Sequence, residues 1–127
     1  MIIINPNSGP GGLPDENYAR EIALLNSYPN AKLLGYIRID YCKRPLHAAL
    51  DEINQYASWA ALPEKATDIP TPSGKGMGMS GIFLDETPNH HTPEREEYLS
   101  ILTASIKSNP GILSDRFVRF PPLFVSR

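Results

Sequence analysis

One short apolar run limits what this chain can fold into. The run Gly81-Ile82-Phe83-Leu84 ends in Asp85 and Glu86, and Thr87-Pro88 follows. Such a run is typical of a buried strand whose charged end reaches the edge of a sheet. Neighbouring side chains on a strand point to opposite faces, so both carboxylates can share one cleft only if the strand turns between them. Alternatively, the acidic pair only marks where the strand meets water.

The rest of the chain alternates apolar strands with amphipathic helices. Residues 2–4 and 32–40 predict two further strands, and the residues between them predict a helix over 15–26. A second helix begins at Pro45, with Asp51, Glu52 and Gln55 on its polar side, and a third follows Thr92-Pro93. The order β-α-β-α-β-α predicts an α/β fold with right-handed crossovers and a parallel sheet.

Polar residues gather where the predicted strands end. In a doubly wound sheet and in a β/α barrel alike, functional groups collect at the C-terminal ends of the strands. The residues at those ends are Asn5, Arg38, Asp40, Tyr41, Asp85 and Glu86. Their shared position favours the functional interpretation of the acidic pair.

The composition excludes several classes of function. The chain has 127 residues, of which 41% are hydrophobic, and this predicts one domain with a real core. A net charge of −2 with scattered basic residues disfavours nucleic-acid binding. The single cysteine, Cys42, cannot form an internal disulfide and is expected to be a small, buried or half-buried hydrophobe. The opening apolar run is too short for a signal peptide or a membrane span, so we expect a chain that is neither exported nor membrane-spanning.

No motif in the chain predicts a cofactor. The glycine-rich loop 5–12 lacks the Gly-Lys-Ser/Thr ending of a phosphate-binding loop. Residues 76–81 match the dinucleotide fingerprint, but they precede a predicted strand instead of following one. His90 and His91 are adjacent and lack a third ligand at suitable spacing, so a metal site is not expected.

Three motifs in order carry a family resemblance. They are segments 5–11 (Asn-Pro-Asn-Ser-Gly-Pro-Gly), 34–38 (Leu-Gly-Tyr-Ile-Arg, with Tyr41 and Arg44 beyond it) and 81–88 (Gly-Ile-Phe-Leu-Asp-Glu-Thr-Pro). Together they resemble the spherulin 4-like family, also called spherulation-specific family 4. The resemblance implies part of a (β/α)8, TIM-barrel-like fold and a glycoside hydrolase that cuts α-1,4-linked, galactosamine-containing fungal polysaccharide. It also implies secretion or a cell-surface location, and a catalytic role for Asp85 and Glu86.

The same resemblance suggests which side chains contact sugar. The candidates are Asn5, Tyr36, Arg38 and Tyr41. For Tyr36, packing against a helix is at least as good an interpretation. Trp59 lies on a helix far from the strand ends, so we expect it in the core or an interface and not under a sugar ring.

The chain departs from the family pattern in length and in its last residues. A whole barrel takes roughly 200 or more residues, so residues 1–127 are interpreted as one incomplete barrel domain with three or four of the eight units. Residues 110–127 form an atypical tail that is aromatic and basic. One interpretation of residues 114–127 is a product of a wrong reading frame or of an intron. Further acids of the family have no counterpart there, so we expect little hydrolysis.

Two other functions remain open. One is a non-catalytic fragment that binds carbohydrate or self-associates through open sheet edges. The other is a small flavodoxin-like domain, which ranks last because no phosphate loop is present.

Overall fold

The computed structural model describes residues 1–12, 14–62 and 76–121. These residues form a parallel sheet and the helices that connect its strands. The strands are β1 (Ile2–Ile4), β2 (Leu33–Arg38), β3 (Gly81–Asp85) and β4 (Phe117–Arg119), and the α-helices are α1 (Glu16–Asn26), α2 (Leu46–Ser58) and α3 (Pro93–Ser108). A short 3-10 turn, Trp59–Ala61, ends α2.

The strands lie side by side in the order in which they occur in the chain. The sheet order is β1-β2-β3-β4, and every neighbouring pair is parallel. A doubly wound sheet would reverse its order at a switch point, whereas a β/α barrel adds each strand beside the last. The expected fold class, parallel β/α units forming part of a TIM-barrel-like fold, is therefore confirmed.

Two of the predicted helices begin with a side-chain cap. The Asp15 carboxylate accepts a hydrogen bond from the Tyr18 amide at 2.8 Å, and the Thr92 hydroxyl accepts one from the Arg95 amide at 3.2 Å. Each cap satisfies an amide that has no partner within its own helix. Helix α1 begins at Glu16 and α3 at Pro93, so each begins within one residue of its predicted start.

All three helices pack on the same side of the sheet. Strand residues Ile4, Leu33, Ile37, Ile82 and Leu84 share a core with apolar residues from every helix. Because paired residues of a parallel sheet point to one face, the register places Ile3, Leu34, Tyr36 and Phe83 on the other side. We call that side the open face, since no helix of the described residues covers it, although Leu34 on that side is only 2% exposed. Within the described ranges, no helix combines the length and apolar character needed to cross a bilayer.

The contact between Gly35 and Tyr56 fixes α2 against the sheet. A Cβ atom on Gly35 would lie only 2.7 Å from the Tyr56 ring. The absence of a side chain lets the ring lie directly on β2, where the Tyr56 hydroxyl donates to the Tyr36 carbonyl oxygen at 2.7 Å and lies 3.3 Å from that of Ile4. Trp59 packs edge-on against Tyr56 and is fully buried, which confirms its predicted place in the core.

Strand β4 lies in the tail for which the sequence predicts no element. Its first residue, Phe117, donates its amide to the Ser80 carbonyl at 2.9 Å, and the strand continues in parallel register with β3. Its three residues are too few to show an alternating pattern, and they are not uniformly apolar and β-branched like the three residues of β1. Residues 117–119 thus extend the sheet in the order that a β/α barrel requires. Residues 122–127 of the tail lie outside the described residues.

Replacing Gly35 with alanine is expected to destabilise the protein by about 2–3 kcal/mol, because the added methyl group would overlap the Tyr56 ring. Urea unfolding followed by circular dichroism measures this change. Gly76→Ala is the control, since a Cβ there would meet nothing within 4 Å. Its positive φ of 55° predicts a smaller loss of about 1 kcal/mol. Equal losses for the two variants would contradict the proposed contact.

Candidate functional site

The acidic pair at the end of β3 faces the end of β2. Asp85 is the last residue of the strand, and Glu86 adopts a left-handed conformation with φ of 59°. This conformation ends the strand between the two acids, so both carboxylates reach groups on β2. Tyr36 donates its hydroxyl to Asp85 Oδ2 at 2.6 Å, and Arg38 Nε lies 2.7 Å from Glu86 Oε1 and 3.1 Å from Oε2. The structure therefore brings together four of the six predicted site residues, which we call the strand-end site.

The pKa of Tyr36 is raised within this site. Burial of the phenol, followed by its hydrogen bond to Asp85, raises the pKa from 10.0 to about 12. The hydroxyl therefore stays protonated and remains a donor across the physiological pH range. The Tyr36 ring lies on the open face at 6.1 Å from the Phe83 ring, with 24° between their planes. The alternative interpretation, in which this side chain packs against a helix, is wrong.

A strained turn follows β2 at the same edge. Asp40, Tyr41 and Cys42 have φ values of 50°, 55° and 66°, three left-handed residues in a row without a glycine. Each left-handed residue costs about 1–2 kcal/mol, although an aspartate tolerates the conformation better. The Tyr41 amide donates to the Glu86 carbonyl at 2.7 Å, which fixes the turn against the acidic pair. The Tyr41 side chain is 48% exposed, so its ring is open to a ligand.

An ion pair supports the end of β2 from the helix side. Arg44 donates to the Arg38 carbonyl at 2.8 Å and to Glu52 Oε1 at 2.5 Å. The hydrogen bond that Arg44 donates to Glu52 is the main cause that raises the pKa of Arg44. Tyr98 of α3 in turn donates to the Arg44 carbonyl at 2.9 Å. Sequence reasoning placed Glu52 on the polar side of α2 and missed this role, because nothing in the local pattern indicates its partner.

Asn5 has a different environment from the other candidates. Its side-chain oxygen accepts a hydrogen bond from the Gly9 amide at 3.1 Å, so it shapes the glycine-rich loop after β1. A Cβ on Gly9 would lie 2.6 Å from Glu52 Oε2, so the loop passes close above the Arg44–Glu52 pair. The described contacts join Asn5 to its own loop and not to the carboxylates.

An apolar cavity of about 200 Å³ lies beside the acidic pair. It is lined by Thr87, Pro88, His91, Leu99, Phe120 and Pro121. Thr87, which lines the cavity, directly follows Glu86 in the chain, so the cavity borders the strand-end site. Over the ranges that the structure describes, no three His, Cys, Asp or Glu side chains come together as a metal-binding group.

The sheet and its carboxylate edge define an α/β protein of the barrel type, with its polar residues at the C-terminal ends of the strands. The family model for spherulation-specific family 4 matches residues 1–125. The chain belongs to that family, which confirms the resemblance of its three motifs.

Two proteins that are longer than this chain are similar to it. Spherulin-4 of Physarum polycephalum is 30% identical over 115 residues, which cover 90% of this chain and 29% of that protein. The crystal structure of Aspergillus clavatus Sph3 in complex with GalNAc is similar at a TM-score of 0.81 and 38% identity. The match covers 93% of this chain and 44% of that one. The chain thus spans less than half the length of either relative.

The raised pKa of Tyr36 predicts how stability depends on pH. The unfolded phenol ionises near 10.0 and the folded one near 12. The contribution of Tyr36 to stability is therefore complete below pH 10 and is lost as the pH rises through about 12. The difference in unfolding free energy between the wild type and Tyr36→Phe should be constant below pH 10 and shrink above it. Tyrosinate absorbance of the two proteins checks the assignment, and a phenol that ionises at its ordinary pKa would contradict it.

Replacing Tyr41 with glycine is expected to stabilise the protein by about 1 kcal/mol, because glycine adopts the left-handed conformation without strain. Urea unfolding measures the change. Tyr28→Gly is the matched control, since Tyr28 is 60% exposed and is not among the left-handed residues. That control should not gain stability. A loss of stability in Tyr41→Gly would show that the turn is not strained.

Proposed function

We propose that this chain is a glycoside-hydrolase domain that acts on galactosamine-containing polysaccharide of the α-1,4-linked type. Asp85 and Glu86 are its catalytic carboxylates, and Tyr36, Arg38, Tyr41 and Asn5 are its sugar contacts. The observation that carries the proposal is the joining of both carboxylates to Tyr36 and Arg38 at the strand ends. The similarity to a relative crystallised with GalNAc supports the class of ligand.

Two carboxyl groups are what glycoside hydrolysis needs. One donates a proton to the leaving oxygen, and the other acts as nucleophile or activates a water molecule or a substrate group. Asp85 and Glu86 are adjacent in the chain, and both contact β2. We assign the two roles to the pair jointly.

The side chains around Asp85 and Glu86 suit a sugar ring with its hydroxyl groups. The Arg38 side chain is 46% exposed, and its Nη2 lies 3.6 Å from Asp40 Oδ1. The guanidinium carries five N–H groups, so those that face solvent can donate to sugar hydroxyls. The exposed Tyr41 ring offers an apolar surface with a polar tip. The apolar cavity beside Thr87 adds space for a substituent of the sugar.

A second candidate function is sugar binding without turnover. It is favoured because both carboxylates already have partners: Asp85 accepts a hydrogen bond from Tyr36, and Glu86 pairs with Arg38. Hydrolysis additionally needs an acid that donates to the leaving oxygen, whereas both carboxylates act as acceptors in their described contacts. We therefore expect this chain alone to bind sugar and to release little or no sugar by hydrolysis.

Calorimetric titration with α-1,4-linked GalNAc oligosaccharides tests both candidates. We expect binding by the wild type, and a loss of at least tenfold in affinity for Glu86→Gln and for Asp85→Asn, since both change the acceptors that hold Arg38 and Tyr36. A tenfold loss corresponds to about 1.4 kcal/mol. Asp115→Asn is the matched control, because Asp115 is also ion-paired, to Lys32 at 2.6 Å, but near the opposite ends of the strands.

The outcomes separate the two functions. Sugar release that Asp85→Asn abolishes supports the hydrolase. Binding without release supports the second candidate. An absence of binding by the folded wild type, or an equal loss in Asp115→Asn, overturns the proposed site.

A further inference from the structure

A polar cleft of about 180 Å³ lies where β1 ends, and we call it the loop cleft. It is formed by the glycine-rich loop after β1 and by the start of α1, and it shares no lining residue with the strand-end site. The C-terminal ends of parallel strands lie at one edge of the sheet, so both places belong to the same edge. The polar side chains of the cleft are Asn7, Asp15 and Tyr18, and its apolar surface includes Pro6, Pro10 and Pro14.

Three contacts hold the loop in the shape that forms the cleft. The Asn5 side chain accepts a hydrogen bond from the Gly9 amide at 3.1 Å. The indole nitrogen of the buried Trp59 donates to the Gly12 carbonyl at 3.2 Å, which ties the loop to the core. Gly9 lies so close to Glu52 that a Cβ atom would be 2.6 Å from Oε2. A ligand therefore does not have to order this loop, which lowers the free-energy cost of binding.

The polar side chains of the cleft have unused hydrogen-bonding capacity. Asp15 Oδ1 accepts from the Tyr18 amide at 2.8 Å, and the Asn7 backbone amide donates to the Gly9 carbonyl at 3.1 Å. Over the described residues, no hydrogen bond joins the Asn7 side chain, the Tyr18 hydroxyl or Asp15 Oδ2 to another protein group. The lining thus offers N–H and O–H donors together with oxygen acceptors.

This mixture of groups suits a sugar ring better than an ion. No basic side chain is among the described residues that line the cleft, so a phosphate or another anion would lack a counter-charge there. A metal cation would meet a single carboxylate, that of Asp15, which also caps α1. Sugar hydroxyls both donate and accept hydrogen bonds, as the lining does. The proline rings and the Tyr18 ring add apolar surface for the C–H groups of a sugar.

A series of contacts connects the loop to the strand-end site. Gly9 lies against Glu52, Glu52 pairs with Arg44, and Arg44 donates to the carbonyl of Arg38. Neighbouring strands lie about 4.8 Å apart, so β1 is about 10 Å from β3 across β2. An oligosaccharide can bridge such a separation, whereas a single sugar ring cannot occupy both places.

We propose that the loop cleft binds a second sugar residue of the polysaccharide whose first residue occupies the strand-end site. The proposal rests on the proposed function, because the strand-end site has to hold another residue of the same polysaccharide. Asn7, Asp15 and Tyr18 contact the second sugar. Asn5 acts on the loop cleft as a positioning residue, since it holds the loop through the Gly9 amide.

Calorimetric titration of the 127-residue chain with GalNAc and with its α-1,4-linked tetrasaccharide tests the proposal. We expect the tetrasaccharide to bind at least about tenfold more tightly, because it alone reaches both places. The double variant Asn7→Ala/Tyr18→Phe removes two hydrogen-bonding groups and keeps the Tyr18 ring that packs against the core. It should lose at least about fivefold in tetrasaccharide affinity and keep its GalNAc affinity within about twofold.

The matched control is Asn30→Ala/Tyr28→Phe, which removes the same groups elsewhere. Both residues are exposed and lie in the connection between α1 and β2, at the opposite end of α1 from the loop cleft. The control should leave both affinities within about twofold of the wild type, because neither residue lines the cleft.

The two sugars separate a failure of the loop cleft from a failure of the proposed function. If the folded wild type binds neither sugar, the proposed function is overturned and the loop cleft with it. Three results overturn the loop cleft alone: equal affinities of the wild type for the two sugars, equal losses in the two double variants, and a loss in Asn7→Ala/Tyr18→Phe that is the same for both sugars.

If Asn7→Ala/Tyr18→Phe does not fold, amide NMR shifts of the wild type decide. The amide signals of Asn7 and Gly11 should move when the tetrasaccharide is added and stay in place when GalNAc is added. Unchanged signals of both amides with the tetrasaccharide reject the loop cleft.

Discussion

The Tyr56 ring resting on Gly35 is the contact on which the rest of the structure depends. Its buried hydroxyl donates to the carbonyl of Tyr36 and lies near that of Ile4, so one side chain joins α2 to both β1 and β2. Burial raises the pKa of Tyr56 well above its usual range, which keeps the hydroxyl a donor. The helix can approach this closely only because residue 35 has no side chain.

The same helix also fixes the functional edge of the sheet. Glu52 lies one turn before Tyr56 and on the same side of α2, since side chains four residues apart are neighbours. Tyr56 holds the middle of β2, and Glu52 holds Arg44, which binds the carbonyl at the end of that strand. Packing in the core and geometry at the carboxylates are therefore linked through a single helix.

The sequence predicts most of the elements and part of the site, for identifiable reasons. Apolar runs, periodic apolar residues and capping residues reveal β1 to β3 and α1 to α3. β4 is as short as β1, but Arg119 interrupts its apolar residues and no uniform run marks it. The grouping of Asp85, Glu86, Tyr36 and Arg38 follows from parallel strands that end at one edge. Two features could not be predicted. The Arg44–Glu52 pair depends on how a helix lies over a loop, and the left-handed turn contains none of the glycines that usually signal one.

The left-handed turn after β2 also determines where this fold tolerates insertions and deletions. Asp40 to Cys42 reverse the local handedness of the backbone within three residues, while the Tyr41 amide is bonded to Glu86. Adding or removing one residue there would shift that amide and rotate the Arg44 side chain away from α2. The connection between β3 and α3 carries no such run of left-handed residues, although it borders the same site. Insertions and deletions beside the strand-end site should therefore cost less stability in the connection after β3 than in the turn after β2. Differences in ligand preference among homologues would arise first in the connection after β3.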